Sequence, residues 1–120
     1  MITLQSYLKG AFVAGDATGN ATLVNPATEE AVAVTSTRGL DLGAALTYAR
    51  DVGGPTLRAM TFAERGAVLE GMSKALHQVR DALIEASVIN AGTTRSDSKF
   101  DIDGATGTLA YYAALGKKLG

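Results

Sequence analysis

Between Thr61 and Asn90 the chain carries Leu69, Met72, Leu76, Val79 and Leu83 at steps of three, four, three and four residues. A helix places all five on one face, so this stretch commits a quarter of the chain to helix and to a surface that must be buried. Thr61, with Glu64 three residues later, forms a capping box in which hydroxyl and carboxylate each satisfy an orphan backbone N–H. Thirty unbroken helical residues would span about 45 Å. His77-Gln78-Val79 offers no strong stop, so one long helix or two consecutive helices both fit. Gly66 and Gly71 each cost about 1 kcal/mol relative to Ala in an exposed helix interior, a deficit the apolar face has to offset.

Upstream, Leu4, Tyr7 and Leu8 begin an apolar segment that runs through Phe12 and Val13 and is interrupted by Gly10. Gly15, Asp16, Gly19 and Asn20 supply turn chemistry before a second extended segment, Thr22 to Pro26, in which Pro26 biases Asn25 away from helix. After a turn at Ala27-Thr28-Glu29-Glu30, Val32 and Val34 share one strand face, and Ala31, Ala33 and Thr35 the other. A small antiparallel sheet is the simplest arrangement. Asp41 is placed to cap a helix through Arg50 that buries Leu42, Ala45, Leu46 and Ala49 and ends at Gly53-Gly54-Pro55.

Beyond Asn90, Ala91-Gly92-Thr93-Thr94 reads as a helix break. A last helix follows, capped by Asp97 or Ser98, with Ile102, Ala105, Leu109 and Tyr112 as its apolar stripe and Lys117 and Lys118 suited to its C-terminal dipole. The expected fold class is therefore α+β: a small antiparallel β segment over about residues 1–36, then three or four helices over about residues 40–118. The βαβ alternation from which a nucleotide-binding sheet is built is missing. An apolar helix running to Gly120 is expected to need a further body of protein to pack against.

Eleven basic and twelve acidic residues are dispersed without a basic block: Lys9, Arg38, Arg50, Arg58, Arg65, Lys74, Arg80 and Arg95 alternate with carboxylates rather than with stacking aromatics. That pattern argues against a nucleic-acid partner. No apolar run approaches the roughly 20 residues that cross a bilayer, and no signal peptide opens the chain, so a cytoplasmic protein without a membrane partner is expected. Cys is absent, which removes disulfides, Cys–zinc sites and thiol catalysis from these 120 residues.

The remaining chemistry-bearing groups have structural explanations. His77 is the lone imidazole and has no second histidine with which to share a metal. Asp97, Asp101 and Asp103 precede Gly104, but Ala105 falls where a calcium loop needs an oxygen ligand. Glu29-Glu30 fits a charged turn, and Met72 fits the helical stripe. Gly104-Ala105-Thr106-Gly107 and Gly15 to Asn20 lack the order of a phosphate cradle and are expected in turns or close helix packing. Asn20-Ala21-Thr22 is a chance sequon in a protein that is not secreted. Tyr111-Tyr112 suits a protein interface or the core equally. No catalytic, cofactor-binding or metal residue is assigned.

In order along the chain, Tyr7-Leu8-Lys9-Gly10-Ala11-Phe12-Val13-Ala14-Gly15 resembles the N-terminal strand motif of the aldehyde dehydrogenase superfamily, with Phe12 where Trp is common. Val24-Asn25-Pro26-Ala27-Thr28-Glu29 followed by Ala31-Val32-Ala33 resembles its next hairpin, with Glu29 in place of a frequent Gly. Thr61 to Arg65 resembles the start of the family's long helical segment. Ala91 to Thr94 resembles its Thr-Gly-Lys-like break, and Tyr111-Tyr112-Ala113 the aromatic pair before its nucleotide domain. Arg38-Gly39-Leu40-Asp41 and Leu57 to Phe62 look more like the branch that handles CoA-thioester semialdehydes in aerobic phenylacetate or benzoate degradation.

The resemblance implies a homo-oligomeric parent enzyme that oxidises an aldehyde with NAD or NADP. A cysteine thiolate attacks the aldehyde, hydride passes to nicotinamide, and a glutamate-activated water releases the acid. It also implies that residues 1–120 are an incomplete N-terminal portion whose partner is the remaining dehydrogenase chain, and whose substrate is a CoA-linked aldehyde. The family's Cys, Glu, Asn and Lys positions all fall beyond these residues, so the portion is expected to support folding or assembly and to lack activity alone. The alternative is a small helical interaction module that completes its fold with a protein partner.

Overall fold

The computed structural model describes residues 1–120, which divide into two compact units, Met1–Pro55 with Ile89–Gly92 and Thr56–Val88 with Thr93–Gly120. In the first unit, β5 (Ala31–Thr35) is the central strand of a three-stranded sheet. It pairs antiparallel with β4 (Ala21–Val24), Ala21 opposite Thr35, and parallel with β1 (Ile2–Thr3), Ile2 opposite Ala33. Ala33, flanked on both sides, is the buried residue of the strand. The antiparallel expectation is thus met by β4–β5, and the parallel edge is an addition made by the first residues of the chain, too short a segment to show a period. A separate hairpin joins β2 (Ser6–Leu8) to β3 (Ala11–Val13). Its two-residue turn has positive φ at both Lys9 (52°) and Gly10 (86°), the requirement of the tight turn that matches strand twist.

The turn from β4 to β5 also needs a left-handed residue, and Glu29 takes that position at φ 61°. Asn25 holds the turn: its side chain accepts from Ala27 N at 2.9 Å and its carbonyl from Glu29 N at 2.8 Å. A 3-10 turn at Ala17–Gly19 is fixed by Asp16, whose carboxylate accepts from both the backbone N and the hydroxyl of Thr18 at 2.8 Å. Those two bonds hold Asp16 below the ordinary Asp value. Gly15 lies so close to the Ser36 carbonyl that a Cβ would sit 2.2 Å from its oxygen.

Asp41 caps α1 (Leu42–Tyr48) as expected, accepting from Ala44 N at 2.8 Å. Two expectations for this helix fail. Leu42, Leu46 and Ala49 are exposed, leaving only Ala45 of the proposed stripe half-buried. Gly53-Gly54-Pro55 does not end the helix either: a π-helical turn (Ala49–Gly53) leads into α2 (Gly54–Ala59). In that widened turn Gly54 N bonds back to Ala49 O, and Pro55 follows in the first turn of α2, where its missing N–H costs least.

The second unit is built on α3 (Phe62–Gln78) and α5 (Arg95–Leu119). Thr61 caps α3 with the full capping box, Thr61 Oγ1 accepting from Glu64 N at 3.1 Å and Glu64 Oε2 from Thr61 N at 2.7 Å. The two-helix option for Thr61–Asn90 is the one observed: α3 stops at Val79, and α4 (Arg80–Ala91) follows, with Ile84 its most buried residue. Thr94, not Asp97 or Ser98, caps α5, because its hydroxyl accepts from Asp97 N at 3.1 Å. Ser98 is instead fully buried in the first turn, donating to the Thr94 carbonyl at 3.0 Å and pairing with Thr93 Oγ1 at 2.6 Å.

α3 and α5 run antiparallel and meet through small residues. Gly66 lies against Ala113 and Gly116, Ser73 donates to the Thr106 carbonyl at 2.9 Å, and Arg80 reaches Asp103. A Cβ on Gly66 would fall 2.7 Å from Ala113 O, and one on Gly116 2.6 Å from Phe62 O, so only glycine permits this approach. The seam departs from the leucine-rich stripe. Leu69, Leu76 and Leu83 are half-buried, whereas Met72 and Val79 are exposed. On α5 the buried positions are Ser98, Thr106 and Ala113, and Ala105 and Tyr112 face outward. No helix is long and apolar enough to cross a membrane.

Candidate functional site

Along the α3–α5 pair runs an open groove of about 620 Å³. Its walls are Ser73 from α3 and Thr106, Gly107 and Ala110 from α5. Lys74, His77 and Gln78 follow Ser73 along α3 and form the polar rim. Asp103, also at the groove, is held by the Arg80 guanidinium through two hydrogen bonds, Nη2 at 2.7 Å from Oδ2. That contact keeps the Asp103 carboxyl below its ordinary range, with desolvation acting the other way, and raises Arg80 reciprocally. Lys74 meets Glu70 at 3.0 Å, one turn away on α3. Glu70 is also gripped by Lys117 of α5 at 2.6 Å, and the two lysines, Lys117 foremost, lower its pKa. His77 and Gln78 make no side-chain hydrogen bond within the chain, leaving two adjacent polar groups open at the rim.

The structure disperses most of the groups the sequence singles out. Asp97 is occupied at the start of α5 by Thr94, Asp103 by Arg80, and no three carboxylate or imidazole groups converge. Glu29 and Glu30 lie in the β4–β5 turn, where Glu30 accepts from the Thr28 hydroxyl at 3.1 Å. Asn20 closes the 3-10 turn and Thr22 lies in β4. Tyr111 and Tyr112 stack edge-on against each other, with centroids 5.3 Å apart, and are both exposed. Arg65 lies over the Phe62 ring at 5.5 Å.

Gly104 and Gly107 correct an expectation. They occupy neither a turn nor a close contact but the interior of α5, where an added Cβ would meet nothing within 4 Å. The Gly15 to Gly19 turn is filled by Ser36 and Arg38. Gly104 and Gly107 lie inside a helix rather than at its start, and Gly15 to Gly19 leads from β3 only into a three-residue 3-10 turn, so neither segment has the strand-to-α-helix form of a dinucleotide cradle. The groove itself escaped the sequence reading, since Lys74 belonged there to a dispersed set of cations and Gly107 to a failed phosphate motif. The signal available was Lys74, His77 and Gln78 at helical spacing on one helix, with Gly107 on the other.

Three comparisons bear on this arrangement. The model of the aldehyde dehydrogenase family matches residues 12–120. A curated 3,4-dehydroadipyl-CoA semialdehyde dehydrogenase from Aromatoleum evansii is 39% identical over 117 residues, 98% of this chain and 22% of that relative. Among solved structures, an NAD-dependent benzaldehyde dehydrogenase from Corynebacterium glutamicum superposes with a TM-score of 0.82 at 21% identity, over 93% of this chain and 24% of its own. Betaine aldehyde dehydrogenase from Staphylococcus aureus, solved in complex with NAD+, gives 0.83 at 19% identity, over 97% and 23%. The chain therefore spans about a quarter or less of the proteins it matches, and its strands and helices are those of one part of their fold.

Proposed function

The chain belongs to the aldehyde dehydrogenase family, and from that premise we propose that it forms the N-terminal portion of a cytoplasmic, homo-oligomeric enzyme that oxidises a CoA-linked semialdehyde to the acid with NAD or NADP, in the degradation of aromatic compounds such as phenylacetate or benzoate. The observation that carries this reading is the 39% identity to a CoA-semialdehyde dehydrogenase, sustained over 98% of the chain rather than confined to one motif. The absence of Cys from these residues supports a thiol nucleophile carried by the remaining protein. Within the enzyme this portion has a scaffolding role: the glycine seam fixes α5 against α3, and the exposed Met72, Val79, Phe100 and Tyr111 are surfaces for the rest of the dehydrogenase to cover.

The test is a comparison of substrates on the longer protein that carries this chain. A CoA-linked semialdehyde, benzaldehyde and betaine aldehyde are each supplied with NAD+ and with NADP+, and formation of reduced nicotinamide is followed. The highest kcat/KM is expected with the CoA-linked semialdehyde. A higher value with either free aldehyde contradicts the substrate assignment.

A further inference from the structure

Gly107 has no reason within this chain to be glycine. It lies inside α5, where glycine weakens a helix relative to alanine, and a Cβ there would touch nothing. What a side chain at Gly107 would occupy is the α3–α5 groove, which Gly107 and Ala110 line as a smooth apolar wall. Facing that wall, the Lys74 ammonium, the His77 imidazole and the Gln78 amide follow one another along α3, with Ser73, Asp103 and Thr106 completing the lining. A volume of about 620 Å³ is within the range of small-molecule sites.

Resting on the reading above, we propose that this groove seats the carrier arm of the CoA-linked aldehyde. The slender amide-bearing pantetheine chain lies along Gly107 and Ala110, its carbonyls accept from the Gln78 amide, and its phosphates meet Lys74 and His77. The nearby carboxylates permit this. Asp103 is already paired with Arg80, and Glu70 retains Lys117 when Lys74 turns toward the groove. The reacting aldehyde lies elsewhere in the enzyme, so the groove acts on carrier recognition and not on the oxidation itself.

The experiment uses the full-length protein and two substrates: a semialdehyde thioester of CoA, and the same semialdehyde as its N-acetylcysteamine thioester, which keeps the reacting end and lacks the phosphates and most of the arm. The readout is the ratio of the two KM values, with thermal melting in parallel. Gly107→Leu fills the groove and Lys74→Glu places a negative charge at its rim. Each is expected to raise the CoA thioester KM about tenfold relative to the short thioester, equivalent to about 1.4 kcal/mol of binding. Gly107→Leu is also expected to melt no lower than the natural protein, since its Cβ meets open space. Gly71→Leu, equally open but outside the groove, is expected to leave the ratio unchanged. A rise of both KM values together, or of neither, overturns the proposal. So does a natural enzyme that does not distinguish the two thioesters, a result that spares the dehydrogenase reading. A natural enzyme that oxidises neither thioester defeats that reading and the groove with it.

Discussion

The seam between α3 and α5 and the turns of the β-region meet opposite problems with the same residue. Where the two helices touch, the backbone approach is too close for any Cβ, and the sequence supplies glycine at both Gly66 and Gly116. At the turns, the backbone demands positive φ, and the sequence supplies Gly10 and Gly39 but also Lys9 and Glu29, the two non-glycine residues in the left-handed region. The helical unit thus fits its geometry without strain, whereas the β-region imposes geometry on residues that resist it. Strain of about 1–2 kcal/mol at each such position is retained because the surrounding hydrogen bonds, such as Glu29 N to Asn25 O, fix the turn.

Four changes break or sharpen this contrast. The largest effect is expected from Gly116→Val, whose Cβ would press on the Phe62 carbonyl and force α5 away from α3. A loss of about 3 kcal/mol is expected in urea unfolding, and a change below about 0.5 kcal/mol would mean that the seam yields at little cost. Next is Thr61→Ala, which removes one half of the capping box and is expected to lose about 1 kcal/mol by the same measurement. Glu29→Gly runs the other way: relief of the left-handed strain, less the added backbone freedom of glycine, should raise stability by about 0.5–1 kcal/mol, and Gly66→Ala should show no such gain.

The smallest effect concerns acid. Arg80 holds Asp103 below its ordinary value of 3.8, so the pair contributes stability that is present above that value and disappears as pH falls through the lowered pKa. Asp103→Asn should therefore lower the melting temperature in the neutral region and flatten the acid limb, the two profiles converging as pH falls through the lowered pKa. An unaltered acid limb would show that Asp103 is not one of the groups that titrate with unfolding.

How much of this was legible in the chain follows from the same contrast. The cap at Thr61 and the cap at Asp41 were readable because each depends on residues three apart, and local geometry decides them. The seam was not, because Gly66, Ser73, Thr106, Ala113 and Gly116 carry almost no hydrophobic signal and a period count follows Leu69, Met72 and Leu76 instead. The continuation of helix through Gly53-Gly54-Pro55 was hidden for a related reason, since a π turn over Ala49–Gly53 joins two helices and Pro55 falls in the first turn of the second, where its missing N–H costs least. The family was legible in ordered motifs such as Val24 to Glu29, whereas the groove needed α5 to be laid against α3 before Gly107 and His77 became neighbours of one space.

The most direct measurement sets the 120-residue chain beside the longer dehydrogenase proposed to contain it, each given the same CoA-linked semialdehyde and NAD+ or NADP+. Reduced nicotinamide is expected to accumulate only with the longer protein, because these 120 residues contain no thiol. Turnover by the 120 residues alone, or none by the longer protein, would contradict the account.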